Sequence, residues 1–132
     1  MRVMLDTNIL ISAIVFRSKI MNGTIEKLSA KYSLVLCSYV VNELHEVVKE
    51  KFPSKAEDVE LFLMHLPFEY FYTPESIPEH NLFEIRDTDD DAVLYSAIIA
   101  DVDILITGDK DFADIEIERP EILTPPEFLK MN

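Results

Sequence analysis

The segment RDTDDDAVLYSAIIADVDILITGDKDF, residues 86–112, holds the clearest fold signal in the chain. An acidic triplet at residues 89–91 stands ahead of an apolar stretch with helical spacing, and the pattern predicts a helix over residues 88–100. A short apolar strand is predicted at residues 104–106, and Gly108 marks a turn after it. A helix that leads directly into a short buried strand is typical of a chain that winds around a parallel sheet.

The rest of the chain repeats this alternation of strands and helices. Further strands are predicted at residues 2–5, 33–37, 68–72 and 122–123. Further helices are predicted at residues 9–16, 23–31, 56–66, between Ser38 as N-cap and Pro53, and in a turn after Pro125 and Pro126. Short apolar strands that alternate with helices predict an α/β fold, a three-layer α/β/α sandwich around a central parallel sheet.

Length and composition favour one globular domain over residues 1–132. Hydrophobic residues make up 48% of the 132, which is enough for one packed core. A single cysteine, Cys37, excludes an internal disulfide and favours the cytoplasm. The apolar runs are far shorter than the roughly 20 residues of a membrane span, and Asp6 interrupts the N-terminal apolar stretch too early for a signal peptide.

Charge is distributed unevenly along the chain. The formal net charge is -13, and residues 84–121, with 3 basic and 13 acidic residues, account for -10 of it. An acidic chain argues against the usual nucleic-acid binder, which carries a basic face. The acidic segment is also rich in apolar residues, so it is a folded segment that contains carboxylates and not a solvated tail.

Four acids stand where parallel strands end or where the next helix begins. Asp6 follows the first strand, Glu43 lies early in the helix after the second strand, Asp91 lies in the first turn of the helix at 88–100, and Asp109 follows the strand at 104–106. Sites in such folds form outside the carboxyl ends of the strands. Helical spacing places Glu43 at the edge of an apolar stripe, and it places Asp91 on one stripe with Leu94, Tyr95 and Ile98.

Converging carboxylates repel one another, and a bound divalent cation removes that repulsion. Oxygen ligands suit Mg²⁺ or Mn²⁺, whereas the chain offers no Cys/His cluster for zinc. A metal in an open cleft would permit metal-assisted hydrolysis of a phosphate ester. Each acid also has an ordinary structural explanation, which stays open at this point: Asp6 as a helix N-cap, Asp91 in a loose capping box, Glu43 as a solvated helix residue, Asp109 in a polar turn.

Three stretches together resemble the PIN-domain family, small Mg²⁺-dependent ribonucleases that include the VapC toxins of prokaryotic toxin–antitoxin pairs. They are VMLDTNILISA at residues 3–13, SYVVNELHEVV at 38–48, and the segment 86–112 quoted above. The third is the most specific of the three, since an acidic triplet, a helix of small residues, an apolar strand and TGDKDF follow in that order. The resemblance covers nearly the whole chain.

The resemblance implies an acidic quartet of Asp6, Glu43, Asp91 and Asp109. Asp6 and Asp91 would be direct metal ligands, with Glu43 and Asp109 as possible further ones, and Asp89 or Asp90 could share the role of Asp91. Residues implied to support the site are Thr7, Asn8, Thr107 and Asp111. It also implies strand order 3-2-1-4-5, cleavage of single-stranded RNA by a metal-activated water, a homodimer and a cognate antitoxin.

RNA contacts are harder to assign, because the chain is acidic. Arg17, Lys19 and Lys110 are the candidates for a substrate groove, with plain solvated surface charges as the alternative. Competing functions are a catalytically silent PIN-fold module that binds RNA or protein, and another acidic α/β phosphoryl-transfer domain. A receiver domain would need an Asp after the third strand, where Thr73 and Pro74 stand, and a haloacid-dehalogenase phosphatase would need an Asp at Asn8.

Overall fold

The structure, a computed structural model, describes residues 1–74, 88–108 and 117–131, and within residues 88–91 it describes the backbone. The elements are, in order, β1 (Arg2–Leu5), α1 (Thr7–Ile14), α2 (Lys19–Lys31), β2 (Ser33–Cys37), α3 (Ser38–Lys51), a 3₁₀ turn (Pro53–Lys55), α4 (Ala56–His65), β3 (Glu69–Phe71), α5 (Thr88–Ile99), β4 (Ile104–Ile106), β5 (Glu121–Leu123) and α6 (Pro125–Lys130). None of the helices in these ranges is long and apolar enough to cross a membrane.

The five strands form one parallel sheet in the order β3-β2-β1-β4-β5. The predicted α/β class and the strand order implied by the family resemblance are both confirmed. The central strand β1 is buried on both faces, and Val3, Met4 and Leu5 have no exposed surface. Because the helices cover such strands on both sides, the strands are continuous apolar runs and lack the alternation of a half-exposed sheet.

Helix starts differ from the prediction at three places, one of which is α2, which begins at Lys19 and not at residue 23 because Ser18 is its N-cap. α1 begins at Thr7, two residues before the predicted start, because Asp6 is its N-cap. The N-cap of α3 is Cys37, so the prediction of Ser38 as N-cap is wrong. The hydroxyl of Ser38 instead accepts a hydrogen bond of 2.9 Å from the backbone N–H of Thr73, a residue that follows β3. A tertiary contact has therefore replaced the local cap.

The buried face of α5 also differs from the predicted stripe. Leu94 is fully buried as expected, but Tyr95 and Ile98 are only partly buried. From residue 92 onward, Ser96 and Ala97 are the other residues of this helix without exposed surface. The polar side chain of Ser96 can be buried here because its hydroxyl donates a hydrogen bond of 3.0 Å to the hydroxyl of Thr73.

Ion pairs join the strands at the amino edge of the sheet, opposite the carboxyl ends. The guanidinium of Arg2 binds the carboxylate of Glu69 at 2.6 Å, which links β1 to β3. The carboxylate of Asp103 accepts from the backbone N–H of Arg2 at 2.8 Å and pairs with Arg119 at 2.8 Å. The backbone N–H of Arg2, opposed by some desolvation and assisted by the charge of Arg119, holds the pKa of Asp103 below its usual value.

The lowered pKa of Asp103 predicts how acid acts on this edge of the sheet. A carboxyl whose pKa is depressed by folding adds stability above its unfolded pKa, near 3.9, and that stability is lost as pH falls through the folded pKa. We expect Asp103→Asn to lower the free energy of unfolding at pH 7 by about 1 kcal/mol. We also expect a smaller loss of stability in the variant between pH 5 and pH 2.

Urea unfolding followed by circular dichroism across that pH range measures both effects. Asp58→Asn is the matched control, since Asp58 is exposed and its ion pair with Lys55 is 3.7 Å long. We expect this control to change stability by less than about 0.5 kcal/mol. Equal pH profiles for wild type and Asp103→Asn would contradict the assignment.

Candidate active site

Asp6 lies at the carboxyl end of the central strand, where the chain turns from β1 into α1. Its backbone is extended, with φ -86° and ψ 171°, which is the geometry of an N-cap. One carboxylate oxygen, Oδ1, accepts a hydrogen bond of 3.1 Å from the backbone N–H of Ile9. The residue is 7% exposed. The carboxylate is therefore fixed in direction by the first turn of the helix.

Thr107 holds the other oxygen of the same carboxylate. Its hydroxyl donates to Oδ2 of Asp6, and the backbone N–H of Asp6 donates to the carbonyl of Ile106 at 3.3 Å. Thr107 is itself held by its backbone N–H, which donates to the carbonyl of Leu123 at 2.9 Å. The end of β4 thus orients the side chain at the end of β1, and the predicted supporting role of Thr107 in the site stays a prediction.

Thr7 and Asn8, the next two residues, differ in their surroundings. Thr7 is 4% exposed. Its hydroxyl is buried and has no hydrogen-bond partner among the described residues. Asn8 is exposed. A buried hydroxyl without a partner costs roughly 1–3 kcal/mol, so a ligand with which it could form a bond would be stabilised here.

Glu43 lies in the second turn of α3, the helix that begins where β2 ends. It is partly buried, whereas Glu46 on the same helix is exposed. The predicted position of Glu43 at the edge of the apolar stripe is therefore confirmed. Since α3 starts at the same edge of the sheet as α1, Asp6 and Glu43 belong to the same end of the molecule.

The other two acids of the predicted quartet fall outside what the structure describes. Asp91 lies in α5 with its backbone alone described, and Asp109, Lys110 and Asp111 lie beyond residue 108. Within the described residues, no group of three His, Cys, Asp or Glu side chains could hold a metal ion. The convergence of all four acids therefore stays a prediction.

Two of the predicted substrate-binding residues are exposed in the turn between α1 and α2. Arg17 has a φ of 51°, in the left-handed region, and Lys19 is the first residue of α2. The eight residues of α1 separate this turn from Asp6. At 1.5 Å per residue the helix is about 12 Å long. Both side chains are accessible, and their role toward a substrate stays a prediction.

An aromatic pair at the end of β3 was not singled out by the sequence. Tyr70 and Tyr72 are exposed by 39% and 76%. Their ring centroids are 4.9 Å apart, and the rings are nearly perpendicular. The signal available in the sequence was the alternation in FEYFY, which places both tyrosines on one face of a strand. That alternation was used only to predict the strand.

Comparisons with known proteins agree with this architecture. A family model described as PIN domain matches residues 2–111. Among solved structures, the chain is similar to the crystal structure of VapBC2 from Rickettsia felis bound to a DNA fragment from their promoter, with a TM-score of 0.71 and 21% identity over 94% of this chain and 98% of that chain. At this identity the likeness shows the fold alone. No curated protein matches the chain.

The hydrogen bonds that Asp6 accepts from Ile9 and Thr107 predict that its structural and chemical roles can be separated. Asn caps a helix about as well as Asp, so we expect Asp6→Asn to stay within about 1 kcal/mol of wild type. Asp6→Ala loses the cap and the acceptor for the Thr107 hydroxyl, and we expect a loss of about 2–3 kcal/mol.

Urea unfolding measures both variants, with Asn8→Ala as the control. Asn8 is exposed on the same helical turn. We expect that control to lie within about 0.5 kcal/mol of wild type. Equal stability of the Asn and Ala variants at position 6 would show that the cap has no energetic weight.

Proposed function

The chain belongs to the PIN-domain family, and from this premise we propose that it is a Mg²⁺- or Mn²⁺-dependent endoribonuclease that cleaves single-stranded RNA. The observation that carries the proposal is the carboxylate of Asp6, buried at the carboxyl end of the central strand and oriented by Ile9 and Thr107. A carboxylate held rigidly at this edge is suited to bind a cation, because little conformational entropy is lost on binding.

The donors at this edge fit a hard divalent cation. Asp6 and Glu43 offer carboxylate oxygens, and the buried hydroxyl of Thr7 lacks a hydrogen-bond partner among the described residues. These are oxygen ligands, which Mg²⁺ and Mn²⁺ prefer. We propose that Asp6 and Asp91 hold the ion, with Glu43 and Asp109 completing the site. Such an ion, when bound, supplies a Lewis acid for the phosphodiester.

The chain's own residues have separate tasks in the proposed reaction. Thr107 and the first turn of α1 keep Asp6 in one orientation, so the site is organised before substrate arrives. Glu43, at the edge of the apolar stripe of α3, orients the attacking water or accepts its proton. Asn8, exposed beside Asp6, contacts the water or the substrate, and Asp111 supports Asp109.

RNA binding to this chain depends little on a basic surface. Three basic residues of the first 55 already have structural partners, as Arg2 binds Glu69, Lys55 pairs with Asp58, and Lys27 donates to the carbonyls of Phe128 and Met131. Neutralisation of phosphates by Lys and Arg normally supplies much of RNA affinity. We therefore propose weak binding in the absence of metal, with Arg17, Lys19 and Lys110 as a small basic rim.

The proposal includes partners and context. The VapC toxins of the family act in pairs with antitoxins, and the solved structure compared above is one of VapBC2. We propose that this chain is a toxin held inactive by a cognate antitoxin, that residues 1–132 form one nuclease domain, and that the protein forms a homodimer in the cytoplasm.

Cleavage of a pooled single-stranded RNA in Mg²⁺ or Mn²⁺ tests the proposed activity. We expect Asp6→Asn and Asp91→Asn to lower the rate by at least about 100-fold, because each removes a charge from the reacting centre. Chelation of the metal should abolish cleavage. Equal rates in wild type and both variants would overturn the assignment.

A matched pair on α3 sharpens the same test. We expect Glu43→Gln to lose activity and Glu46→Gln to keep it, since the two acids share a helix and differ in burial. Single Asn substitutions at Asp89, Asp90 and Asp91 decide which acid of the triplet acts. The largest loss is expected at Asp91, and a larger loss at either neighbour would move the ligand to that residue.

Native mass spectrometry of the protein isolated from its own cells tests the partner proposal. We expect a complex that contains two copies of the chain and a second, smaller protein, and we expect removal of that protein to raise ribonuclease activity. A chain that runs alone as a monomer, with unchanged activity, would contradict both the homodimer and the antitoxin.

A further inference from the structure

We propose that Thr73 is a positioning residue for the candidate active site, because it sets the spacing between α3, which carries Glu43, and α5, which carries Asp91. This inference rests on the proposed metal-dependent function and adds to it a residue that acts through these two acids. Thr73 follows β3 and is partly buried.

The hydroxyl of Thr73 caps α3 from outside that helix. The first N–H groups of a helix have no partner within the helix, and the side chain of the N-cap residue normally accepts from one of them. The N-cap of α3, Cys37, makes no such hydrogen bond. The hydroxyl oxygen of Thr73 takes this role, since it accepts from the backbone N–H of Tyr39 at 3.2 Å. A residue beyond β3 therefore orients the first turn of α3.

The same oxygen also holds α5. It accepts a hydrogen bond of 3.0 Å from the hydroxyl of Ser96, which lies on that helix. Ser96 has no exposed surface, so water cannot replace Thr73 as its partner, and an unpaired buried hydroxyl would be costly. α3 and α5 also pack against each other. One hydroxyl oxygen thus joins two helices that are in contact, and we call this arrangement the Thr73 joint.

The backbone of Thr73 fixes the joint to the sheet. Cys37 pairs with Phe71, so Thr73 lies two residues beyond that pair, past the carboxyl end of β3. Its backbone N–H donates to the hydroxyl of Ser38 at 2.9 Å. The hydroxyl that holds α3 and α5 is therefore itself held in place, at the edge of the sheet where Asp6 lies.

Both acids lie close to the Thr73 joint along their helices. Glu43 is four residues after Tyr39, which is about one turn, or 6 Å, along α3 and on the same face. Asp91 is five residues before Ser96, about 7.5 Å along the axis of α5. A helix moves nearly as a rigid body over such lengths, so a shift at the joint moves each acid with its helix.

The spacing of the acids matters because distances between a metal ion and its ligands tolerate only about 0.2 Å. The groups of the joint are two hydroxyls and a backbone N–H, and none of them carries a charge. Removing the hydroxyl of Thr73 therefore changes the site through its geometry and not through a lost charge. The expected consequence is weaker binding of a divalent cation.

Titration of the protein with Mn²⁺ in the absence of RNA tests the proposal, with free Mn²⁺ measured by electron paramagnetic resonance. Thr73→Val keeps the shape of the side chain and the backbone N–H, and removes the hydroxyl. We expect it to raise the Kd for Mn²⁺ by about 10-fold, the usual effect of losing a group that orients metal ligands. Ser96→Ala should shift Kd in the same direction, and the double variant should bind no more weakly than Thr73→Val alone, because both changes remove the same hydrogen bond.

Two further variants separate positioning from general stability. Thr73→Ser keeps the hydroxyl and should restore the wild-type Kd. Ser18→Ala removes the hydrogen bond of 3.3 Å that the N-cap of α2 accepts from the backbone N–H of Met21, in the turn between α1 and α2. We expect it to lower the urea midpoint, as Thr73→Val does, and to leave the Kd for Mn²⁺ unchanged.

The outcomes distinguish the positioning role from the proposed function. If Asp6→Asn weakens Mn²⁺ binding and Thr73→Val does not, the positioning role is overturned and the metal site stands. If Asp6→Asn binds Mn²⁺ as wild type does, the metal-dependent function fails and the positioning role fails with it. If Ser18→Ala weakens Mn²⁺ binding as much as Thr73→Val, the effect comes from loss of stability, and the positioning role is overturned.

Discussion

The carboxylate of Asp6 is held by the helix that follows it and by the end of the neighbouring strand, and the candidate site depends on it. Its Oδ1 accepts from the helix that starts beside it, and its Oδ2 accepts from Thr107 at the end of the neighbouring strand. The parallel arrangement makes this possible, because it brings the carboxyl ends of β1 and β4 to one edge. Thr107 is in turn held by Leu123 of β5, so three strands fix one side chain.

The two edges of the sheet differ in the described groups that hold their acids. At the amino edge, Glu69 and Asp103 are paired with Arg2 and Arg119, and these contacts join strands that are distant in sequence. At the carboxyl edge, the backbone N–H of Ile9 and the hydroxyl of Thr107 orient the carboxylate of Asp6.

Much of the fold could be predicted from the sequence, because its strands are continuous apolar runs bounded by polar residues. β1, β2 and β4 have the predicted bounds, β3 is one residue shorter at each end, and β5 begins one residue earlier. The strand order came from the resemblance to a family and not from the residues, since apolar runs do not state their neighbours. The start of α3 was misjudged because Ser38 bonds to Thr73, 35 residues away, and no local pattern contains that contact.

The candidate site could be predicted in part, for a related reason. The sequence allowed two roles for Asp6, as a helix N-cap and as a carboxylate of the site. The structure shows that Asp6 is the N-cap of α1, and this role is compatible with the other one. Glu43 is partly buried and Glu46 is exposed, which is the difference that helical periodicity predicted. The contact between Tyr70 and Tyr72 was overlooked because alternation in a short strand predicts which residues share a face but not whether that face is covered.

A crystal structure of the protein soaked in Mn²⁺, with anomalous diffraction data, tests the central claim most directly. The account predicts an anomalous peak at the carboxyl edge, within coordination distance of a carboxylate oxygen of Asp6 and of oxygens from Asp91 or Asp109, with the hydrogen bond from Ile9 retained. Anomalous density confined to other parts of the surface, with Asp6 bonded only to protein donors, would contradict the claim that this edge is a metal site.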